Sequence, residues 1–126
     1  MTMQDKIKTP AALIRILAQA KAKGKKVVQC HGVFDLLHLG HIRHFNLAKK
    51  EGDILVVTLT ADKFVRRGPG RPVFNQYLRA ETLAALEMTD FVSIINDSTA
   101  TEFIKLVKPD VYAKGSDYKA KEKDVT

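Results

Sequence analysis

The chain contains one cysteine and no tryptophan, and it has no apolar run near the roughly 18 residues that a membrane span requires. A lone cysteine excludes an internal disulfide framework. Cys30, in an apolar stretch, reads as a small hydrophobe in a reducing compartment. The start, Met1-Thr2-Met3-Gln4-Asp5-Lys6, lacks the apolar core of a secretion signal, so a cytoplasmic protein with no membrane partner is expected. Aromatics make up 7% of the residues, too few for the stacking platform that single-stranded nucleic acids use, and no recognition-helix pattern replaces it. There is no helical H-E-x-x-H pair, no internal repeat and no low-complexity segment.

What is present describes one ordinary domain. At 126 residues, 45% hydrophobic and 28% charged, the chain can bury about two-thirds of its extended surface. Lys and Arg outnumber Asp and Glu by 21 to 14, a net charge of +7 that favours polyanionic partners: nucleotides, sugar phosphates or nucleic acid. Charge alone does not choose among them.

The apolar pattern alternates between strand and helix. Thr9-Pro10 followed by Ala11 to Lys23 and then Gly24 predicts a capped helix within an N-terminal segment 1–25, with Leu13, Ile14 and Leu17 facing inward. Lys26 to Cys30 reads as a strand, Leu39 to Lys50 as a helix and Ile54 to Thr60 as a second strand. Asp62 to Pro72 interrupts the alternation with Lys63, Arg66, Arg67 and Arg71 around Gly68-Pro69-Gly70, a basic loop. Asn75 can cap a helix to about Met88, and Phe91 to Ile95 is a third strand. Ser98 or Thr99 can start a helix ending before Pro109, and Val111 to Lys114 is a fourth strand. Short, largely apolar strands between helices predict an α/β, doubly wound parallel sheet.

The stretch from Cys30 through Gly32 and Asp35 to His41 organises this pattern. It begins in a strand and ends in two histidines around Gly40, just before a helix. Where a strand hands over to a helix in an open α/β sheet, a crevice forms that accepts anions. His38 and His41 are three apart, so both imidazoles can sit on one side of the first helical turn while Gly40 lets the backbone approach a ligand. Two other readings stay open on the residues alone. Cys30, His31, His38, His41 and His44 could form a zinc cluster, although their spacings match no common closed site, or the histidines could be ordinary surface and core residues.

The string Gly32-Val33-Phe34-Asp35-Leu36-Leu37-His38-Leu39-Gly40-His41 resembles the H-x-G-H signature of the nucleotidyltransferase superfamily, in its cytidylyltransferase-like branch. The resemblance covers nearly all of residues 26–119. Gly70-Arg71-Pro72-Val73 and Lys114-Gly115-Ser116-Asp117-Tyr118-Lys119 are closer to the adenylyltransferase domain of ADP-heptose synthases than to glycerol-3-phosphate cytidylyltransferase.

It implies a Rossmann-like sheet of nucleotidyltransferase type and a reaction in which a sugar phosphate, such as D-glycero-D-manno-heptose 1-phosphate, attacks the α-phosphorus of ATP and releases pyrophosphate. The cytidylyl variant would use CTP and glycerol 3-phosphate or a similar phospho-alcohol. Mg²⁺ would accompany the triphosphate, with no metal held by the protein itself.

The resemblance further implies that His38, His41 and Arg71 serve catalysis. Gly32, Val33, Phe34, Asp35, Gly40, Lys114, Gly115 and Asp117 would join the two histidines in binding nucleotide, and Arg67, Arg71 and Arg79 would contact phosphate. For Arg79 the competing reading is an exposed ion pair with Glu81 or a neighbour, and for Gly115 to Asp117 it is a simple turn.

The family continues with a serine- and threonine-rich motif on a further helix, whereas this sequence stops at Thr126. The expectation is therefore a single nucleotidyltransferase domain over 1–126, truncated at its C-terminus, working as a homodimer and drawn from a longer protein fused to, or cooperating with, a sugar kinase. The rival class is a non-catalytic module that binds nucleotide or nucleic acid without turnover.

Overall fold

The computed structural model describes residues 2–114. A 3-10 turn over Gln4–Lys6 leads into α1 (Pro10–Ala22), followed by β1 (Val27–Gly32), α2 (Leu39–Lys49), β2 (Ile54–Thr60), α3 (Gln76–Ala84), β3 (Phe91–Ile95), α4 (Thr101–Val107) and β4 (Val111–Lys114). The four strands form one parallel sheet in the order β3-β2-β1-β4, as the strand–helix alternation implied. Because β2 and β3 extend to one side of β1 and β4 lies on the other, the order in which strands are added reverses between β1 and β4. In open α/β sheets ligands bind at the carboxyl ends of the strands beside such a switch.

Local chemistry sets the elements. The Thr9 hydroxyl accepts from the Ala12 amide at 3.2 Å, Pro10 opens α1, and Gly24 leaves it in the left-handed region at φ 84°. Leu13 and Leu17 are fully buried, each contributing about 1.5–3 kcal/mol of burial. The sheet sorts its side chains by alternation. Val27 and Val56 meet Leu13, Leu17, Phe103 and Val107 on the face covered by α1 and α4. Val28, Cys30, Leu55, Val57 and Leu59 meet Phe45, Ala48, Ala80, Leu83 and Ala84 on the face covered by α2 and α3.

Three aspartates tie the amino-terminal edge of the sheet. Asp53 accepts from the Lys26 amide at 2.8 Å, Asp110 from the Val27 amide at 2.8 Å and Asp90 from the Leu55 amide at 2.7 Å. The opposite edge, at the carboxyl ends, is left to the site.

Candidate active site

β1 delivers the chain to the site at Gly32. A Cβ built there would lie 2.9 Å from the tip of the Phe34 ring, so any side chain at this position would push that ring from its place. Phe34 itself has φ 51°, the left-handed region that a bulky residue rarely adopts. The unusual backbone swings its ring inward, edge-on to His41 at 5.7 Å and to Phe45 at 5.3 Å. Gly32 and Phe34 thus bend the strand exit so that α2 starts against it.

The two signature histidines form the first turn of α2. His38 is its N-cap: its Nδ1 accepts from the Gly40 amide at 3.0 Å, while His41 Nδ1 accepts from the His38 amide at 3.2 Å. This reciprocal box satisfies two helix-end donors and also fixes proton positions. A ring whose Nδ1 accepts a hydrogen bond carries its proton on Nε2 when neutral, so both imidazoles present an Nε2–H donor away from the helix. The rings are 4.1 Å apart between centroids, tilted by 42°. Burial, and then the neighbouring His38 and His44, lower the His41 pKa below its usual value and so favour the neutral ring. The pair therefore shares one environment at a helix amino terminus, where donors and dipole both favour an anion.

Beside the pair opens a cleft of about 670 Å³ at the carboxyl ends of β1, β2 and β4. Gly32, Val33, Phe34 and His41 line one wall, and His31 and Thr60 line the strand ends. Arg67 comes from the basic loop, while Ser98 to Thr101 and Ile104 close the side toward α4, with Tyr112 from β4. Of the residues expected from sequence, Gly32, Val33, Phe34, His41 and Arg67 thus meet in one cavity. His38 and Gly40 adjoin it through the helix turn. Lys114 ends β4, its backbone in register with His31. Gly115 and Asp117 lie outside the described residues.

Asp35, buried at the strand exit, does not reach a histidine. Its carboxylate accepts from the Val73 amide at 2.8 Å, the Phe74 amide at 3.1 Å and the Arg71 guanidinium at 3.0 Å, and so pins the end of the basic loop. Burial acts to raise this carboxyl, but the Val73 and Phe74 amides and Arg71 outweigh it and hold the pKa below the usual value. Arg71 is consequently anchored beside the cleft by its pair with Asp35 and does not line it.

Arg79 is the residue the structure places differently from both sequence readings. It is 2% exposed, and its charge partner is Asp62 at 2.7 Å, not Glu81. Its Nε donates to Phe74 O at 3.0 Å, and Nη1 donates to Val33 O and Thr60 O, both at 2.8 Å. Four of the five guanidinium N–H donors are committed to the protein. Arg79 ties together the exits of β1 and β2 and the basic loop from behind the cleft.

Sequence reasoning passed over His31, Thr60, Thr99, Thr101 and Tyr112 as cleft residues. A signal existed for the first two: Gln29 and His31 in β1, and Thr58 and Thr60 in β2, place polar side chains at alternate positions of otherwise apolar strands. Among the described residues no group of three or more His, Cys, Asp or Glu side chains could hold a metal ion, and no helix is long and apolar enough to cross a membrane.

Comparison with known proteins agrees with this geometry. The family model "Cytidylyltransferase-like" matches residues 29–125. Similar proteins include the "Bifunctional protein HldE" of Nitratiruptor sp., 47% identical over 102 residues, covering 79% of this chain and 22% of that protein. The protein of the same name from Campylobacter jejuni is 42% identical over 123 residues, covering 96% of this chain and 26% of its own length. The chain thus spans about a quarter of the curated relatives it matches. A solved structure, the lipopolysaccharide core biosynthesis protein from Thermoplasma volcanium, superposes with a TM-score of 0.65 at 34% identity, covering 71% of this chain and 73% of that one. With its parallel sheet, its H-x-G-H turn and a family match over most of its length, the chain belongs to the cytidylyltransferase-like family of nucleotidyltransferases.

Proposed function

We propose that this domain transfers AMP from ATP to a sugar phosphate, with D-glycero-D-manno-heptose 1-phosphate as the reference acceptor. An acceptor phosphate oxygen attacks the α-phosphorus, the bond from that phosphorus to the β-bridging oxygen breaks, and pyrophosphate leaves. The observation that carries this reading is the His38–His41 box, two rings whose Nδ1 atoms each accept a backbone amide at a helix amino terminus beside an open cleft, leaving Nε2 to the ligand side. The similarity to proteins named HldE and to a lipopolysaccharide core biosynthesis protein supports the choice of a sugar phosphate over a phospho-alcohol.

The chain's own residues act by placement and by charge. The His38 and His41 Nε2–H groups and the start of α2 hold the polyphosphate and stabilise negative charge as it gathers on the leaving oxygens. Arg67 projects into the cleft as a phosphate ligand, and Arg71, steadied by Asp35, stands ready beside it with a guanidinium that can hold two oxygens. Gly32, Val33 and Phe34 form the nucleotide wall, and Gly40 allows close backbone approach. Lys114, Gly115 and Asp117 are proposed to contact the nucleotide from the end of β4 onward. Mg²⁺ would arrive with the incoming nucleotide and shield its phosphate charge, and the buried Asp35 carboxylate, already engaged by two amides and an arginine, would not hold it.

The word bifunctional in the relatives' names supports a second activity beyond these residues, for which a fused or separate sugar kinase that supplies the acceptor is the proposal. A cytoplasmic homodimer completes it. The test is a pyrophosphate-release screen of ATP and CTP against heptose 1-phosphate and glycerol 3-phosphate, using the longest natural form of the protein. Release with ATP and the heptose phosphate is expected. Release only with CTP and glycerol 3-phosphate would assign the cytidylyl reaction, and tight nucleotide binding with no release from any pair would make the protein a silent nucleotide binder.

A further inference from the structure

Nine large hydrophobic side chains are exposed among the described residues, and six of them gather beside the site: Leu36, Leu39, Val73, Phe74, Tyr77 and Leu78, each between 45% and 67% exposed. Named hydrogen bonds bring these six together. The Asp35 carboxylate accepts from the Val73 and Phe74 amides, which sets both residues against the chain at Leu36. Leu39 opens α2 three residues further on. Tyr77 and Leu78 follow Phe74 in the first turn of α3, where Asn75 caps the helix by accepting from the Leu78 amide at 2.9 Å. Single exposed leucines are ordinary on a protein surface, whereas six adjoining apolar side chains mark a place of contact.

Area and charge indicate what covers this face. With about 150–250 Å² for a full aromatic side chain and somewhat less for an aliphatic one, the six residues expose roughly 600 Å². That is the upper end of what a monomer leaves to water. It also equals the apolar share of one standard interface, which takes about 800 Å² from each partner and is about 65% apolar between identical chains. The rim carries both signs of charge. Arg43 lies one turn beyond Leu39 on α2 and Glu81 one turn beyond Tyr77 on α3, both exposed, and neither forms an ion pair among the described residues. A two-fold interface sets one patch against itself, so it needs an apolar centre with opposite charges on the same rim. We propose, building on the nucleotidyltransferase reading, that this face seats a second copy of the chain about a two-fold axis and that the pairing braces the polyphosphate site.

The site gains because this face is the outer side of its own supports. His38 and Gly40 flank Leu39, and Val73 and Phe74 follow the loop that carries Arg67 and Arg71. From Lys63 to Pro72 the hydrogen bonds are short-range turns and the Arg71–Asp35 pair. A second copy packed on Val73 and Phe74 steadies the loop at that one distant anchor, so an incoming polyphosphate meets arginines that are already placed. Such coupling is reciprocal: a polyphosphate held in the cleft strengthens the dimer by the factor by which the dimer strengthens its binding.

Sedimentation equilibrium of the full chain without ligand should give a dimer with a Kd of about micromolar or tighter, the range for interfaces of this area. Tyr77→Glu and Tyr77→Lys each set like charges facing across the axis. Either should weaken the dimer by about 100-fold or more with an unchanged circular dichroism spectrum, since a two-fold interface counts one lost aromatic anchor twice. Calorimetry with inorganic tripolyphosphate should then show binding about fivefold weaker to both variants than to the unaltered dimer. A direct charge effect would instead have opposite signs in the Glu and Lys variants. A chain that stays monomeric at about 100 µM, or a dimer that both variants keep, overturns the seat. So does a longer natural form that is monomeric because its own further segment shields Tyr77. Equal tripolyphosphate affinity in dimer and variants overturns the bracing. If no substrate pair releases pyrophosphate while the dimer still depends on Tyr77, the transferase reading fails and the interface stands.

Discussion

Replacing Arg79 with methionine keeps most of the buried volume and removes every guanidinium donor. The structure sets the cost. Three carbonyls, those of Val33, Thr60 and Phe74, lose their 2.8–3.0 Å partner, and Asp62 loses its charge partner. A buried acceptor left alone costs about 1–3 kcal/mol. Thr60 O is buried and bears the full penalty, while the Asp62 side chain, 39% exposed, is rehydrated. The sum is about 3–5 kcal/mol, the range expected for breaking a buried charge network. With a urea slope of about 1–3 kcal/mol/M, the unfolding midpoint should fall by about 2 M. Arg79→Lys keeps the charge but cannot span the same acceptors from one ammonium, and should lose about half as much. Urea titration followed by circular dichroism measures both. A midpoint for Arg79→Met within about 0.5 M of the unaltered protein, together with a tenfold loss of tripolyphosphate affinity, would refute the reasoning and make Arg79 a direct phosphate ligand.

Other perturbations address separate parts of the site. His31 has a folded pKa of about 4 against 6.5 unfolded, so the unfolded chain takes the proton first. Its contribution is intact above pH 6.5 and is lost as pH falls toward 4, by about 2–3 kcal/mol. Stability measured from pH 7.5 to 4 should show that slope, and His31→Asn should flatten it. His41→Ala should abolish pyrophosphate release while costing about 1 kcal/mol of stability through the lost capping contact; undiminished turnover would contradict its role. Asp35→Asn should release the Val73–Phe74 end of the loop, raising KM for the sugar phosphate several-fold more than it lowers melting temperature would suggest, and steady-state kinetics paired with a thermal melt checks it. Calorimetry should find ATP bound more tightly than CTP, and equal affinities would remove the support for an adenylyl donor.

The parts of the fold that local chemistry dictates were legible. Thr9, Pro10 and Gly24 marked α1, and the apolar, β-branched runs marked β2, β3 and β4 at the positions observed. β1 runs on to Gly32, past the expected end at Cys30, because His31 and Gly32 find ladder partners on β2, with His31 also paired to β4; pairing of that kind does not show in hydropathy. α3 stops at Ala84 instead of about Met88, since Leu86 and Met88 pack against the core from an irregular segment. α4 begins at Thr101, freeing Ser98 to Ala100 to line the cleft.

Within the site, the strand-to-helix turn was readable because its parts are adjacent in sequence. The places of Arg79 and Asp35 were not, because their partners lie up to 46 and 39 residues away along the chain. A charged residue in isolation reads as exposed or ligand-bound, and only the fold reveals that its charge is consumed internally.

Long-range ¹⁵N–¹H correlation spectra of the imidazole nitrogens, recorded at pH 7.5 with and without tripolyphosphate, examine the paired rings themselves. His38 and His41 should both appear as Nε2–H tautomers, with Nε2 resonances that shift together on addition of the polyanion while His31 stays unmoved. Nδ1–H tautomers at those two positions, or a response at neither, would contradict the account of how this turn grips a nucleotide.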